Sequence, residues 1–447
     1  MLLLPGILQK LFAELVNMMN KDVEAIGAQL ANSSIEYAIL NRPDAIKIRD
    51  IDVLVRPGAL KKAAVAIEAY YTSLGFGLRD VVQNSYSIQL FFFIRDEVEG
   101  YKELQIDLMP EISFRGVEYL SIKDVLLDHV MRRDSIVFVD DVAYYIYQVL
   151  RSFIQGNAGD VDVGIANKYL ECLKEAGIPK VFSQYEGVLS CFFKSQGVSI
   201  NINVRNKVLI SCFKRRFLGS LCGALKNLYY KAYRGLRPTG VFVSVLGPDG
   251  AGKSTIIDGL SKVNEFKGTD THYLLPCFME RYKKKKLENN VNVDPYGRSS
   301  QGIIFSVLKQ LVWLYEYNMG YLKVVRPSLA HGKLVIFDRY YDDMIIDPIR
   351  YGYSGPVWIL KAVNKFIPSP HLILSFYASA EIIQNRKSEV TYEETSEQLK
   401  AYANYNDLIS NGVLIDTDAS EAEVLNKVLN EIDEFLENRA RARFVSL

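Results

Sequence analysis

The 447-residue chain is short of several things, and each shortage excludes a class of protein. It has five cysteines, Cys172, Cys191, Cys212, Cys222 and Cys277, with no C-x-x-C among them. An odd, scattered set argues against a disulfide framework and a thiolate zinc centre, and predicts reduced thiols in a cytoplasmic setting. No run of about 18 apolar residues occurs, so no segment is expected to span a bilayer. Net charge is only +1, so no global charge points to nucleic acid, and none is expected as a partner. The leucine-rich start, MLLLPGILQK, lacks a basic flank and is interrupted by Pro5 and Gly6. An amphipathic helix is expected there, not a signal peptide. The most local shortage is of acid. Between Glu186 and Asp249 there is none, while ten basic residues occur, among them Lys214, Lys226, Lys231 and Arg234. They interleave with Phe217, Leu218, Leu221, Leu225, Leu228 and Tyr229, the pattern of a basic amphipathic helix. Such a helix packs on a neighbouring domain, lies peripherally on an anionic membrane, here its inner face, or, as a third alternative, contacts nucleic acid.

What is present is punctuated by one motif, GPDGAGKST, from Gly247 to Thr255. VFVSVL before it reads as a buried strand, and the residues after Ser254 read as a helix. A glycine-rich turn between strand and helix gathers backbone N–H groups and a helix N-terminus around phosphates. Gly247, Asp249, Gly250, Ala251, Gly252, Lys253, Ser254 and Thr255 are therefore the candidate nucleotide-binding residues. Lys253 is expected to face solvent and reach the β- and γ-phosphates, and Ser254 to ligate Mg²⁺. ATP and Mg²⁺ are the expected cofactors.

The length predicts two or three domains. Residues 1–140 alternate helix-like and strand-like patterns and read as an α/β unit. Residues 141–236 read as helical and basic. Residues 237–447 alternate strand and helix again, predicting a largely parallel sheet flanked by helices. In that last stretch FDRYYDD places Asp338 and Arg339 at the carboxyl end of a buried strand, where ligands bind. Asp338 and Arg339 join Lys253 as catalytic candidates, Arg339 stabilising the moving phosphoryl group by bidentate hydrogen bonds. Arg386 and Lys387 follow a later strand and are candidates for a lid over phosphates.

The phosphate loop, the DRY triplet at 338–340 and the later arginine–lysine segment occur in the order found in thymidylate kinases, which the last 200 or so residues resemble. The resemblance implies that Asp249 touches the acceptor's sugar and that Arg339 contacts phosphates. Tyr340 and Arg350 complete the candidate acceptor-binding set. After DRY, however, the chain reads YDDMIIDPIRYGY, without the serine- and glutamine-bearing helix that helps hold thymine in that family. Together with THYLLPCFMERYKKKK and VDPYGRSS, it resembles a branch found in surface-polysaccharide gene clusters, often fused to an upstream nucleotidyltransferase-like domain.

The first stretch fits that fusion. In RDIDVLV, Asp50 and Asp52 lie two apart and share one strand face. ELQIDLM alternates, placing Asp107 on the polar face of another strand. Three convergent carboxylates form a two-metal site for attack on an α-phosphate. The surrounding pattern resembles minimal nucleotidyltransferases, although Asn41, Arg42 and Pro43 stand where that family carries Gly-Ser. The expected whole is an ATP-dependent phosphotransferase of surface-glycan metabolism with a fused nucleotidyltransferase-like domain. Its acceptor is a glycan, a lipid-linked sugar or a nucleotide. A nucleoside monophosphate kinase and an ATP-gated regulatory or defence protein are the alternatives.

Overall fold

The computed structural model describes residues 21–40, 50–96, 100–133, 136–155, 185, 210, 213–214, 217–276, 302–386 and 391–447. The start of the N-terminal helix, the Asn41 to Pro43 turn, the lysine-rich segment and Lys387 lie outside these. The chain divides into two compact units, one of Met1–Arg234 with Arg439–Leu447, the other of Gly235–Asn438.

The first unit is built on a mixed seven-stranded sheet, β3-β4-β5-β2-β1-β9-β8. Its strands are β1 (Tyr37–Ile39), β2 (Ile51–Val55), β3 (Gly77–Gln83), β4 (Ile88–Asp96), β5 (Gly100–Met109), β8 (Val130–Arg133) and β9 (Ile136–Val139). A two-stranded ribbon, β6 (Ile112–Phe114) with β7 (Val117–Leu120), stands apart from that sheet. Helix α1 (Leu60–Ser73) buries Ala63, Ala64, Ile67 and Tyr71, the i, i+4, i+8 stripe of an amphipathic helix. They meet Ile51, Val53, Leu90, Phe92 and Ile106 in one core. Helix α2 (Ile122–Asp128) and helix α3 (Asp141–Gln155) close a second core around Ala143, Ile146 and Leu150. Helix α4 (Phe217–Leu236) follows. At the far end of the chain, Ala440 is buried in the first core, and Arg443 donates to Asp80 at 2.6 Å.

The second unit holds a five-stranded sheet, β11-β12-β10-β13-β14. All four pairings are parallel. Strands β10 (Val241–Leu246), β12 (Leu334–Asp338) and β13 (Leu372–Tyr377) are flanked by β11 (Thr269–Tyr273) and β14 (Gly412–Asp416). Every residue of β10 is buried, as a parallel strand covered on both faces requires. Alternate residues serve different layers. Val241, Val243 and Val245 pack with α5 (Lys253–Ser261) and α12 (Glu421–Val445). Phe242 packs instead with Trp313 and Tyr317 of α6 (Ile303–Gly320) and with Leu329 of α7 (Arg326–Ala330). The remaining helices are α8 (Tyr341–Ile346), α9 (Val357–Asn364), α10 (Ala380–Arg386) and α11 (Tyr392–Asn406). The sheet thus aims the carboxyl ends of β10 and β12 at one edge, where Leu246 and Asp338 hand the chain to the phosphate loop and to α8.

Candidate functional site

The phosphate loop owes its shape to glycine. Gly247, Gly250 and Gly252 have φ of 142°, 89° and 82°, which L side chains rarely adopt. A Cβ on Gly247 would stand 2.7 Å from the Phe376 carbonyl oxygen. Lys253 is the first residue of α5 and is 7% exposed. This corrects the expectation of a solvent-facing loop lysine: its ammonium donates to the carbonyls of Gly247 at 2.8 Å and Pro248 at 2.6 Å. Burial, then the nearby Arg339 charge, lowers its pKa to about 7. Ser254 follows on the exposed side of the same turn, ahead of Thr255.

Asp249 sits between three cations. Arg339 donates to its Oδ1 and Arg350 to its Oδ2, each at 2.6 Å, and Lys253 lies 3.8 Å away. Burial opposes ionisation of this carboxylate, but the three cations outweigh it and hold its pKa well below the usual range. Arg339 is 2% exposed and has φ of 64°, left-handed for a residue with a bulky side chain. Its other amino group donates to Asp343 at 2.7 Å. Asp343, fully buried, also accepts from the hydroxyls of Tyr402, at 2.6 Å, and Tyr351. The result is a continuous chain, Arg350–Asp249–Arg339–Asp343, running from the phosphate loop into α8.

Of the expected residues, the structure brings together Lys253, Asp249, Arg339 and Arg350. Asp338 adjoins them in sequence and register, paired with Val245 across the sheet. Its Oδ1 is buried without a hydrogen-bond partner, and burial raises its pKa. A buried, unpartnered carboxylate oxygen beside a phosphate loop fits a divalent cation. Arg386 donates to the Thr417 carbonyl and lies beside the loop, 4.0 Å from where a Cβ on Gly252 would stand. Tyr340 is not brought in. Its ring is packed among Phe242, Tyr317 and Phe337, and its hydroxyl donates to the Pro368 carbonyl at 2.7 Å. As the last residue before α8 it faces the aromatic core, so no part of it remains for an acceptor.

In the first unit, Asp52 and Asp107 are register partners across the parallel β2–β5 pair. With Asp50 they offer carboxylate oxygens that all lie within 4.8 Å of one another. Asp107 is oriented by Gln89 at 2.7 Å and Gln105 at 2.9 Å, one donor on each of its oxygens. Burial, then the charges of Asp50 and Asp107, push Asp52 up to about 8, against the opposing cation of Arg151. Three carboxylates so placed fit an oxygen-seeking divalent cation such as Mg²⁺.

A pH effect follows from Asp52. Its ordinary pKa is 3.8, so between about pH 4 and 8 the folded protein retains a proton that the unfolded chain has released. Without metal, stability is therefore lost as pH rises through that window. Melting in EDTA should fall from pH 5 to pH 8 in the native protein and fall less in Asp52→Asn. Mg²⁺ at pH 8 should raise the melting temperature of the native protein more than that of the variant. An identical pH slope and metal response in the two proteins would contradict the assignment.

Residues outside the expected set also belong here. Asp343, Tyr351 and Tyr402 complete the buried network, and Arg151 sets the charge balance of the carboxylate cluster. Asp343 was detectable as the i+4 partner of Arg339 at the start of a helix. Tyr402 and Arg151 carry no local signal, since tertiary folding alone brings them in.

No family model matches the chain. Curated relatives do. The thymidylate kinase of Mycoplasma mobile is 25% identical over 224 residues, which cover 44% of this chain and 99% of that protein. A probable thymidylate kinase of Methanosarcina mazei is 26% identical over 220 residues, 44% of this chain and 98% of that one. Among solved structures, a thymidylate kinase from Ehrlichia chaffeensis aligns at 15% identity with a TM-score of 0.31, over 43% of this chain and 97% of that one. About 44% of the chain is thus similar to thymidylate kinases, and the similarity supports a P-loop nucleotide kinase.

Proposed function

We propose that the second unit transfers the γ-phosphate of ATP to a sugar or lipid-linked glycan of surface-glycan metabolism, and that the first unit is a nucleotidyltransferase-like domain. The enzyme would work in the cytoplasm, peripherally at an anionic membrane face. The observation that carries the phosphotransferase reading is the convergence of Lys253, Asp249, Arg339 and Arg350 at the phosphate loop. Phosphoryl transfer demands charge placed around the moving group rather than covalent chemistry by the protein. Lys253 would exchange its two carbonyl partners for phosphate oxygens. Arg339, fixed by Asp343, would hold its charge beside the transferring group. Asp249, fixed by both arginines, would accept a hydrogen bond from an acceptor hydroxyl. Asp338 and Ser254 would hold Mg²⁺, which neutralises phosphate charge when bound.

The glycan reading draws on α8. Its sequence, YDDMII, has no serine or glutamine to read a base. Both its aspartates are already committed, Asp342 to Tyr405 and Asn364, Asp343 to Arg339, Tyr351 and Tyr402. In the first unit, Asp50, Asp52 and Asp107 would hold Mg²⁺ for transfer of a nucleotidyl group.

Thymidylate kinase is the second reading, favoured by the relatives' identity. An acceptor screen with γ-labelled ATP separates the two. Label on sugars or polyprenyl-linked intermediates, with none on thymidine monophosphate, supports the proposal. Efficient and exclusive labelling of thymidine monophosphate would replace it.

A further inference from the structure

Helix α4 is amphipathic the wrong way round for a packed helix. The side toward the rest of the unit carries the small or polar Ser220, Gly223 and Asn227, at i, i+3 and i+7, with half-buried Tyr230 beside them and the exposed Arg234 at i+14. Ser220 is its buried residue. Gly223 lies against Gly116 in the β6–β7 turn so closely that a Cβ on it would stand 2.0 Å from the Gly116 carbonyl oxygen. Asn227 accepts from Ser85 at 3.3 Å, and Arg234 donates to Asn84. The opposite side carries Leu218, Leu221, Leu225, Leu228 and Tyr229 at helical spacing. Leu218 is 74% exposed, Leu225 60% and Leu228 65%. A surface helix ordinarily buries that stripe and shows its polar side to water.

We propose that this stripe is an in-plane anchor for an anionic lipid bilayer. At 100° per residue, Lys226 and Lys231 fall about 60° beyond either edge of the stripe, and both are exposed. That arrangement lets the leucines enter the headgroup boundary while the lysine stems run alongside and keep their ammonium groups among the lipid phosphates. The charge is of one sign, because no carboxylate occurs in the sequence between Glu186 and Asp249. Anionic headgroups are complementary to such a surface, and a second copy of this basic helix is not. No helix among the described residues is long and apolar enough to cross a membrane, so this contact would be interfacial. The inference does not depend on the phosphotransferase reading.

The test is co-sedimentation of the full chain with phosphatidylcholine vesicles, with and without phosphatidylglycerol. Binding should require phosphatidylglycerol and weaken as salt rises. Each lysine near the surface contributes about fivefold, so Lys226→Glu with Lys231→Glu should weaken binding by about 25-fold or more. Leu221→Glu with Leu225→Glu should abolish it at unchanged melting temperature, since both side chains point away from the inward contacts. Leu225→Ser should weaken it without adding charge. Equal recovery with both vesicle types, or binding indifferent to the leucine changes, overturns the proposal. So does binding lost in Leu311→Glu, which would move the contact to the exposed apolar residues of α6. A salt-stable dimer dissolved by Leu225→Glu, without vesicle binding, would make the stripe a contact between copies.

Discussion

Replacing Arg339 by alanine should destabilise the second unit by roughly 3–5 kcal/mol, before any effect on turnover is considered. The magnitude follows from what the guanidinium leaves behind. Asp343 has no exposed surface and ionises only because Arg339, Tyr351 and Tyr402 surround it. With Arg339 gone, a buried carboxylate keeps two hydroxyl donors and loses its countercharge. Asp249 loses one of its cations but keeps Arg350 and Lys253, so most of the cost lies at Asp343. Two controls separate charge from backbone. Arg339→Gly removes the same charge but suits the left-handed φ, and should be about 1 kcal/mol more stable than the alanine variant. Arg339→Ala combined with Asp343→Asn should recover part of the loss by discharging the orphaned acid. Urea unfolding measures all three, and a loss below about 1 kcal/mol in Arg339→Ala would mean that the buried pair is not what holds this corner together.

Lys253→Met should reduce the turnover of phosphoryl transfer by about 10²–10³-fold, the effect of removing one preorganised cationic or hydrogen-bonding group from a transition state. Methionine retains most of the stem's volume and deletes the charge. The fold should survive, because Lys253 is desolvated and pays for its burial with a pKa near 7. Removing it deletes that unfavourable burial while leaving the glycines that shape the loop. Kinetics and thermal melting together check this. Near-normal turnover would remove Lys253 from the chemistry, and a collapsed melting transition would make its role structural.

Local pattern made much of this legible. VFVSVL, KLVIF and HLILSFY are short, continuous apolar runs, and a parallel sheet covered on both faces uses such strands. GPDGAGKST declares its own geometry because only glycine suits its positive φ angles. Asp50 and Asp52 were legible on one strand face, and Asp107 on the polar face of its own strand, because alternation fixes which face a residue takes; that Asp52 and Asp107 are register partners comes only from the fold. Strand β11 was not legible: TDTHY is polar, and it becomes a strand by pairing with β12 at the sheet edge. Tyr340 was misread because its sequence neighbour Arg339 does reach the phosphate loop, at Asp249, whereas its own ring is directed by the aromatic core. The polarity of Lys253 suggested exposure, but the backbone carbonyls of its own loop satisfy it inside. Helix α6 passes into a π-helical turn at Tyr321–Val325 before α7, a change in hydrogen bonding that side-chain periodicity does not register.

The central claim is that the phosphate loop of the second unit moves a γ-phosphate. Parallel reactions with γ-labelled and α-labelled ATP, Mg²⁺ and a glycan acceptor extract test it most directly. Label from the γ position should reach the acceptor with the native protein and with Asp52→Asn, and fail to do so with Lys253→Met. Label from the α position should depend on Asp52 and be indifferent to Lys253. Release of γ-label only as inorganic phosphate, at the same rate with and without acceptor, would contradict the account.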